Sequence, residues 1–377
     1  MKRIAYFTTQ YATVKSGPGR FAEYLSNVSS DKISFIFITD DIEKEKHSDR
    51  VLVSPKSIVG NLLPFYWIYR AYCFYKTFLK WTNNGHDIDA ILCSSALEAL
   101  FLLSLKKKLP VYVMINDYKY MSSRSNFREM FLSNKLRKTL SRFFLFYVES
   151  YVAQRASYVI ANSNYTKNMI RKTYNIPDER LFVLYKAVDS VFFQYKYRDS
   201  LKCTHFLFIK NDWRIGGLDL VIEALSQLDW QEDILLTAVG VPDGDKRIIE
   251  KIIKQAGFKG KCTIHPLMNR TSLLPLFYEN DIYISMPRQE PLGVSILEAL
   301  STGLPVITSN AGGIPEVLNE GKSGIMINQN DLKQLVYQLN ALKADPSILK
   351  DKIIEGRKQS LKFSPENLAL KLEQLFT

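Results

Sequence analysis

The stretch MPRQEPLGVSILEALSTGLPVITSNAGGIPEVL (Met286–Leu318) decides the architecture of the part of the chain around it. It starts at the end of DIYISMP (281–287), an apolar run of the β-branched and aromatic kind that is buried on both faces of a sheet. A turn through Pro287–Pro291 follows. A helix then opens near Gly293 and stops at Gly303, and Pro305 leads into the next run, LPVITS (304–309). Strand, turn, helix and strand in this order form one unit of a parallel α/β sheet. At the helix start, free backbone N–H groups and the helix dipole favour an anion, and Gly293 lets a ligand come close to the backbone. Glu290 in the turn can accept hydrogen bonds from hydroxyls, and Glu298, one to two turns into the helix, can clamp a vicinal diol. The plainer reading is a helix carrying two solvated glutamates.

Outward from this unit the same alternation continues in both directions. Upstream strands are expected at RIAYFTT (3–9), ISFIFIT (33–39), AILCSS (90–95), VYVMIN (111–116), YVIANS (158–163) and LFVLYK (181–186). Helices fall between them, for example Ser95–Lys106 and Asn164–Tyr174. A second series runs through HFLFIK, ILLTAVG, CTIHPL, DIYISMP, LPVITS and GIMIN, with helices at Leu218–Leu228 and Asp245–Ala256. Two such series predict two doubly wound parallel sheets, with ligands at the carboxyl ends of the strands and in a cleft between domains. The pattern breaks at AVDSVFFQYKYRDS, so the domains are expected at 1–188 and 189–362, with 363–377 a final helix.

Composition narrows the class. The 377 residues are 46% apolar and 23% charged, enough for two cores of ordinary size. The four cysteines are far apart, with no C-x-x-C pair, which speaks against a disulfide framework or zinc ribbon and fits a reducing cytoplasm. The N-terminus reads as a first strand and not a signal peptide, and no run reaches the ~18 apolar residues of a membrane span. The net charge of +12 is uneven: residues 1–190 hold 28 Lys and Arg against 16 Asp and Glu, and the rest hold 22 of each. Within the basic half, Asn61–Trp81 sets Arg70, Lys76 and Lys80 among aromatics. Arg124–Arg142 sets Arg128, Lys135, Arg137 and Lys138 beside Phe127, Phe131, Phe143 and Phe144. Such interleaving suits an anionic membrane surface or a phosphate-bearing acceptor, or a solvated face over an aromatic core. No nucleic-acid module accompanies it.

Met286–Leu318 closely resembles the donor-site signature of retaining GT-B glycosyltransferases of family 4, the group 1 transferases. The signature runs E-P-x-G-x-x-x-x-E-A, then G-x-P-V-I, then G-G-x-x-E. Glu290, Pro291, Gly293, Glu298, Ala299, Gly303, Pro305, Val306, Ile307, Gly312, Gly313 and Glu316 match it in register. Arg155–Ile170, Phe206–Leu225 and Phe363–Phe376 also look like segments of that family, whereas the first forty residues match only loosely. The resemblance implies two Rossmann-like domains, acceptor on the first and nucleotide-diphosphate sugar on the second. Glu290 would contact the donor sugar, Glu298 the ribose, and the amides around Leu292, Gly293 and Val294 the diphosphate. Lys210 and Arg214 would neutralise the leaving group. Gly17 and Gly19 would lie near the donor phosphate or acceptor, and Asn116 and Asp117 on the acceptor side. The leaving diphosphate itself would take the acceptor proton, with no essential metal or other cofactor. Apart from the resemblance, the basic and aromatic first half leads to the expectation of peripheral attachment at a cytoplasmic membrane face and of a lipid-linked or other glycan acceptor.

The chain departs from the family pattern in three places. Lys210 stands where the family commonly has Arg, and Gly216 where it has Lys. Asn116–Asp117 replaces His-Asp, and Asn cannot act as a general base. Lys186–Ala187 replaces Asn-Gly. These changes keep open a non-catalytic nucleotide-sugar-binding subunit. GPGRFA (Gly17–Ala22), with Asp40 and Asp41 about 20 residues on, formally fits a dinucleotide fingerprint and keeps open a nicotinamide-dependent oxidoreductase, although Thr9–Ser16 separates it from its strand. An ordinary loop with a helix start at Pro18 is the better reading of this stretch than a dinucleotide site. DID (Asp87–Asp89) resembles a D-x-D metal site, but reads better as solvated carboxylates ahead of a strand, and His265 as a loop or core residue.

Overall fold

A computed structural model describes residues 1–11, 17–28, 30–41, 51–55, 65–116, 136–196, 198 and 201–377. The chain forms two compact units, one of Met1–Lys186 with Leu368–Thr377, the other of Ala187–Asn367.

The first unit holds seven parallel strands: β1 (Lys2–Phe7), β2 (Ile33–Thr39), β3 (Val51–Val53), β4 (Ala90–Cys93), β5 (Val111–Ile115), β6 (Tyr158–Ala161) and β7 (Leu181–Val183), in the order β3-β2-β1-β4-β5-β6-β7. All six expected strands are present. The short edge strand β3 adds a seventh, which pairs Val51 with Phe37. The centre is apolar on both faces: every residue of β4 and β5 is buried, as the continuous runs required. Ser95–Lys106 is not one helix. It makes an α-helical turn at Ala96–Ala99 and a 3₁₀ turn at Leu102–Leu105, burying Leu102 and Leu103, before the chain reaches Pro110. The last helix, Pro365–Phe376, brings Glu373 to the Ser30 hydroxyl (2.6 Å) and Lys32 (3.0 Å), and seats Phe376 on Tyr112.

The second unit holds β8 (His205–Ile209), β9 (Leu235–Val239), β10 (Lys261–His265), β11 (Ile282–Ser285), β12 (Val306–Ser309) and β13 (Ile325–Ile327), all parallel, in the order β10-β9-β8-β11-β12-β13. Its order reverses direction at β8 and β11, where a doubly wound sheet opens a crevice at the strand ends. The segment after Lys186 belongs to this unit. Phe192 is buried in a 3₁₀ turn, and the Arg198 guanidinium donates to the carbonyls of Asn280 (2.7 Å), Gly303 (3.2 Å) and Phe277.

Candidate active site

At the β8–β11 switch point the elbow after β11 rests on the loop after β8. Met286 N–H donates to the Gly216 carbonyl (2.9 Å), and Arg288 N–H to that of Ile215 (2.8 Å). This contact requires the two glycines. Gly217 has φ +72°, and a Cβ there would lie 2.1 Å from the Met286 carbonyl oxygen. A Cβ on Gly216 would fall 2.8 Å from Lys210 Cγ and 2.7 Å from the Phe208 ring. A side chain at 216 would have to displace the Lys210 stem and the Phe208 ring from the positions they take here.

Lys210, one residue past β8, forms an ion pair with the Glu290 carboxylate; their side chains are 24% and 12% exposed. Behind Glu290, Gly313 N–H donates to its carbonyl (2.9 Å), and a Cβ on Gly312 would stand 2.0 Å from that oxygen. Leu292 N–H lies 3.4 Å from Glu290 Oε1. The helix Val294–Thr302 then begins on Gly293, at φ +95°, and no side chain caps it. Glycine at that position keeps the first turn's N–H groups clear, the arrangement that receives a phosphate. The lysine, the Glu290 carboxylate and this helix start are thus gathered at the adjoining ends of β8 and β11.

Glu298 is only 3% exposed, so the reading of a solvated helix-surface glutamate fails. Tyr283 on β11 was missed by sequence reasoning. Its phenol is fully buried, bonds the Ser295 hydroxyl (2.8 Å) and donates to the Ile209 carbonyl (3.3 Å). Burial pushes its pKa well above the ordinary tyrosine value, and the charges of Glu290 and Glu298 push it further, so a neutral donor sits within the field of both carboxylates. In a strand buried on both faces, the alternation of side chains carried no signal for it.

Arg214 is not brought to the Lys210–Glu290 pair. Its guanidinium bonds Asp245 (2.9 Å) and lies 4.1 Å from the Trp213 ring centre. The Trp213 indole (2.8 Å) and Arg214 hold the Asp245 carboxyl below its usual range. Arg288, another residue not singled out in sequence, reaches Asp219 through both guanidinium nitrogens (3.0 and 2.9 Å) and fixes the elbow from outside.

In the first unit, Gly17 and Gly19 lie in the first turn of helix Gly17–Asn27, and Gly19 is buried. Asn116 follows β5, and its carbonyl accepts from Asn162 Nδ2 (3.1 Å). Its side-chain oxygen and that of Asn162 are buried and have no hydrogen-bond partner among the described residues, so polar capacity is left over at this strand end. Asp117 lies outside the described residues. Arg70 does not face outward with its neighbours but pairs with the buried Asp40 (2.5 Å). Asp87 and Asp89 are exposed, and Asp89 accepts from Arg3 N–H (2.7 Å) ahead of β4. His265 ends β10, half-buried. Among the described residues no three His, Cys, Asp or Glu are grouped to hold a metal ion.

Residues 17–192 match the family described as Glycosyltransferase Family 4, and residues 202–360 match Glycosyl transferases group 1. The two matches lie end to end, and the chain belongs to this group 1 and family 4 class of glycosyltransferases. It is 24% identical over 208 residues to a D-inositol 3-phosphate glycosyltransferase of Arthrobacter sp. (strain FB24), covering 52% of this chain and 49% of that one. The chain spans about half the length of the curated relatives it matches. Its fold is that of solved GT-B structures. Sucrose-phosphate synthase from Thermosynechococcus elongatus superposes with TM-score 0.79 at 15% identity, over 100% of this chain and 98% of that one. Anabaena Alr3699/HepE in complex with UDP-glucose gives 0.69 at 17% identity, over 100% and 99%.

Proposed function

We propose that the protein transfers a hexosyl or N-acetylhexosaminyl group from a nucleotide-diphosphate sugar, with retention of anomeric configuration, to a lipid-linked or other glycan acceptor in cell-surface polysaccharide or glycoconjugate synthesis. The observation that carries the reading is the Lys210–Glu290 pair beside the uncapped helix start at Gly293, in a chain of this family. UDP-glucose in the HepE structure supports a nucleotide sugar as the co-substrate.

In this reading the donor diphosphate lies on the N–H groups of Gly293 and Val294, and Lys210 turns from Glu290 onto its oxygens. Glu290 is thereby released to accept from sugar hydroxyls, while Glu298 holds the ribose. Positive charge aimed at the leaving group stabilises it as the glycosidic bond lengthens. The diphosphate oxygen next to the departing sugar accepts the acceptor hydroxyl proton on the same face, so retention needs positioning more than a protein base. Asn116 and Asp117 are assigned to the acceptor, and Arg214 is left with Asp245.

A thermal-shift screen against UDP-, GDP- and ADP-sugars tests the reading. One base should raise Tm clearly in the wild type, and Lys210→Ala should reduce the rise. No shift with any nucleotide sugar would overturn it. A shift without either transfer or slow donor hydrolysis would favour the non-catalytic subunit, and a response to nicotinamide cofactors alone would favour the oxidoreductase.

A further inference from the structure

Two helices of the first unit, Phe65–Asn83 and Leu136–Arg155, build one wall. Trp67 stacks on Phe144 with ring centres 6.4 Å apart, and Tyr72 and Tyr75 both meet Phe101, at 5.7 and 6.3 Å. An open groove of about 490 Å³ is lined by Leu100, Phe143, Phe144, Tyr147, Val148 and Tyr151, none of them charged. Seven aromatic side chains are strongly exposed among the described residues. Five of them (Phe65, Tyr72, Phe143, Tyr147 and Tyr151) lie on these two helices, with Phe65 at 64% and Tyr147 at 77%. Exposed aromatics gathered in this way mark a binding surface.

The charge that the two helices themselves expose has one sign. Helix Phe65–Asn83 contains no acidic residue. The one acid of Leu136–Arg155, Glu149, is buried and accepts from the Tyr174 hydroxyl. Of the described acids between the helices in sequence, Glu98 is buried as well, while Asp87 and Asp89 are exposed ahead of β4, where Asp89 accepts from Arg3 N–H. Lys76, Lys80, Lys106, Lys107 and Lys108 are all exposed. Lys76 Nζ lies 5.6 Å from the Tyr72 ring centre and Arg155 Cζ 4.0 Å from that of Tyr151, while Lys106 Nζ reaches the Arg155 carbonyl (3.1 Å). No helix among the described residues is long and apolar enough to cross a membrane.

We infer that this wall docks on an anionic lipid bilayer, with Tyr72, Tyr147 and Tyr151 at headgroup level and the lysines on lipid phosphates. Composition selects a bilayer over a protein partner. Lysine is depleted in protein–protein interfaces, whereas tyrosine belts and flexible lysines are both at home where headgroups meet acyl chains. The inference takes nothing from the donor site, which is in the other unit.

Co-sedimentation of the full chain with vesicles tests it. The protein should pellet with phosphatidylcholine containing roughly a third phosphatidylglycerol, stay in solution with phosphatidylcholine alone, and be released as salt passes through the screening range. Lys106→Ser, Lys107→Ser and Lys108→Ser together should weaken partitioning about a hundredfold, on the order of fivefold per lysine. Tyr147→Ser with Tyr151→Ser should weaken it at every salt concentration. Circular dichroism and the nucleotide-sugar thermal shift, run on the same preparations, keep folding and donor binding as separate readouts. Wild type left in the supernatant at low salt overturns the inference, as does a triple-lysine variant that pellets like wild type. A salt-insensitive dimer abolished by the tyrosine changes would also overturn it, because the occupant would then be a second copy.

Discussion

The two sheets carry corresponding glutamates to opposite effect. In each, the strand that pairs with the unit's first strand on the far side of the switch point, β4 beside β1 and β11 beside β8, leads into a helix with a glutamate that is 3% exposed, Glu98 and Glu298. In the first unit Glu98 turns back to accept from Ser95 N–H (2.8 Å) and the Ser94 hydroxyl (2.9 and 2.8 Å), closing the helix start with its own side chain. In the second unit the helix starts on Gly293 with no side-chain cap, and Lys210 and Glu290 stand beside it. The doubly wound topology offers the same crevice twice, and the residues of the turn decide which one stays open to an anion.

The sharpest way to break this comparison is Lys210→Ala. If the lysine stabilises a leaving diphosphate, kcat/KM should fall by roughly 10²–10³, the cost of removing one preorganised charge-stabilising donor. Steady-state transfer kinetics with the preferred donor measure it. Activity within a few-fold of wild type would mean that the open helix start alone does not mark the site.

The closed crevice has a different signature, in pH. Burial lifts the Glu98 carboxyl from its ordinary 4.5 to about 7, against the hydrogen bonds of Ser94 and Ser95 and the charge of Arg70, which pull it down. The fold thus favours the protonated form. Its stabilising contribution is complete below about pH 4.5, declines as pH rises through 7, and is lost above that. The loss is on the order of 3 kcal/mol at most. Glu98→Gln should flatten this part of the Tm-versus-pH curve and raise Tm at pH 8. An unchanged profile would show that Glu98 is not held neutral in the first unit.

What the sequence made legible follows the same division. All of the long buried strands could be read, because continuous β-branched and aromatic runs flanked by turn residues have few other uses. The edge strand β3 could not, since three residues carry no period. At the open crevice, Glu290, Gly293 and Glu298 were recoverable from one contiguous stretch. The partner of Glu290 is Lys210, eighty positions away in sequence, and Tyr283 sits inside a strand that alternation cannot sort. Arg214 looked like a phosphate ligand by proximity in sequence, yet it is claimed by Asp245, 31 positions away, and lies over the ring of its neighbour Trp213. Exposure was the least legible property: Glu298 read as solvated and is buried, and Arg70 read as an outward cation and is paired with Asp40.

Glu298→Gln sharpens the contrast between the two glutamates. It keeps the side-chain volume at a site where truncation to alanine would leave a cavity, and removes only the charge. Nucleotide-sugar affinity should drop by about 1.5–3 kcal/mol, the value of hydrogen bonds to a charged acceptor, while Tm without ligand changes little. Isothermal titration of both forms checks it. Equal affinities would leave Glu298 a buried structural glutamate like Glu98, and the two units would then be alike at this position.

The smallest expected effect is none at all. A diphosphate leaving a sugar needs its developing charge neutralised, and two sources can do this: a divalent cation or fixed positive charge from the protein. Lys210 supplies a full charge, and a nine-residue helix, Val294–Thr302, supplies roughly half a charge at its N-terminus from aligned peptide dipoles. The helix start is in place before the donor arrives and Lys210 turns onto the diphosphate as it binds, so neither has to reorganise as the bond breaks. Transfer should therefore proceed at an unchanged rate in excess chelator. In Lys210→Ala, where half of this arrangement is gone, added magnesium or manganese should restore part of the lost rate. If wild-type transfer stops on chelation and returns with metal, the open crevice binds its anion through a cation, and the contrast with the closed one rests on something other than the lysine and the helix start.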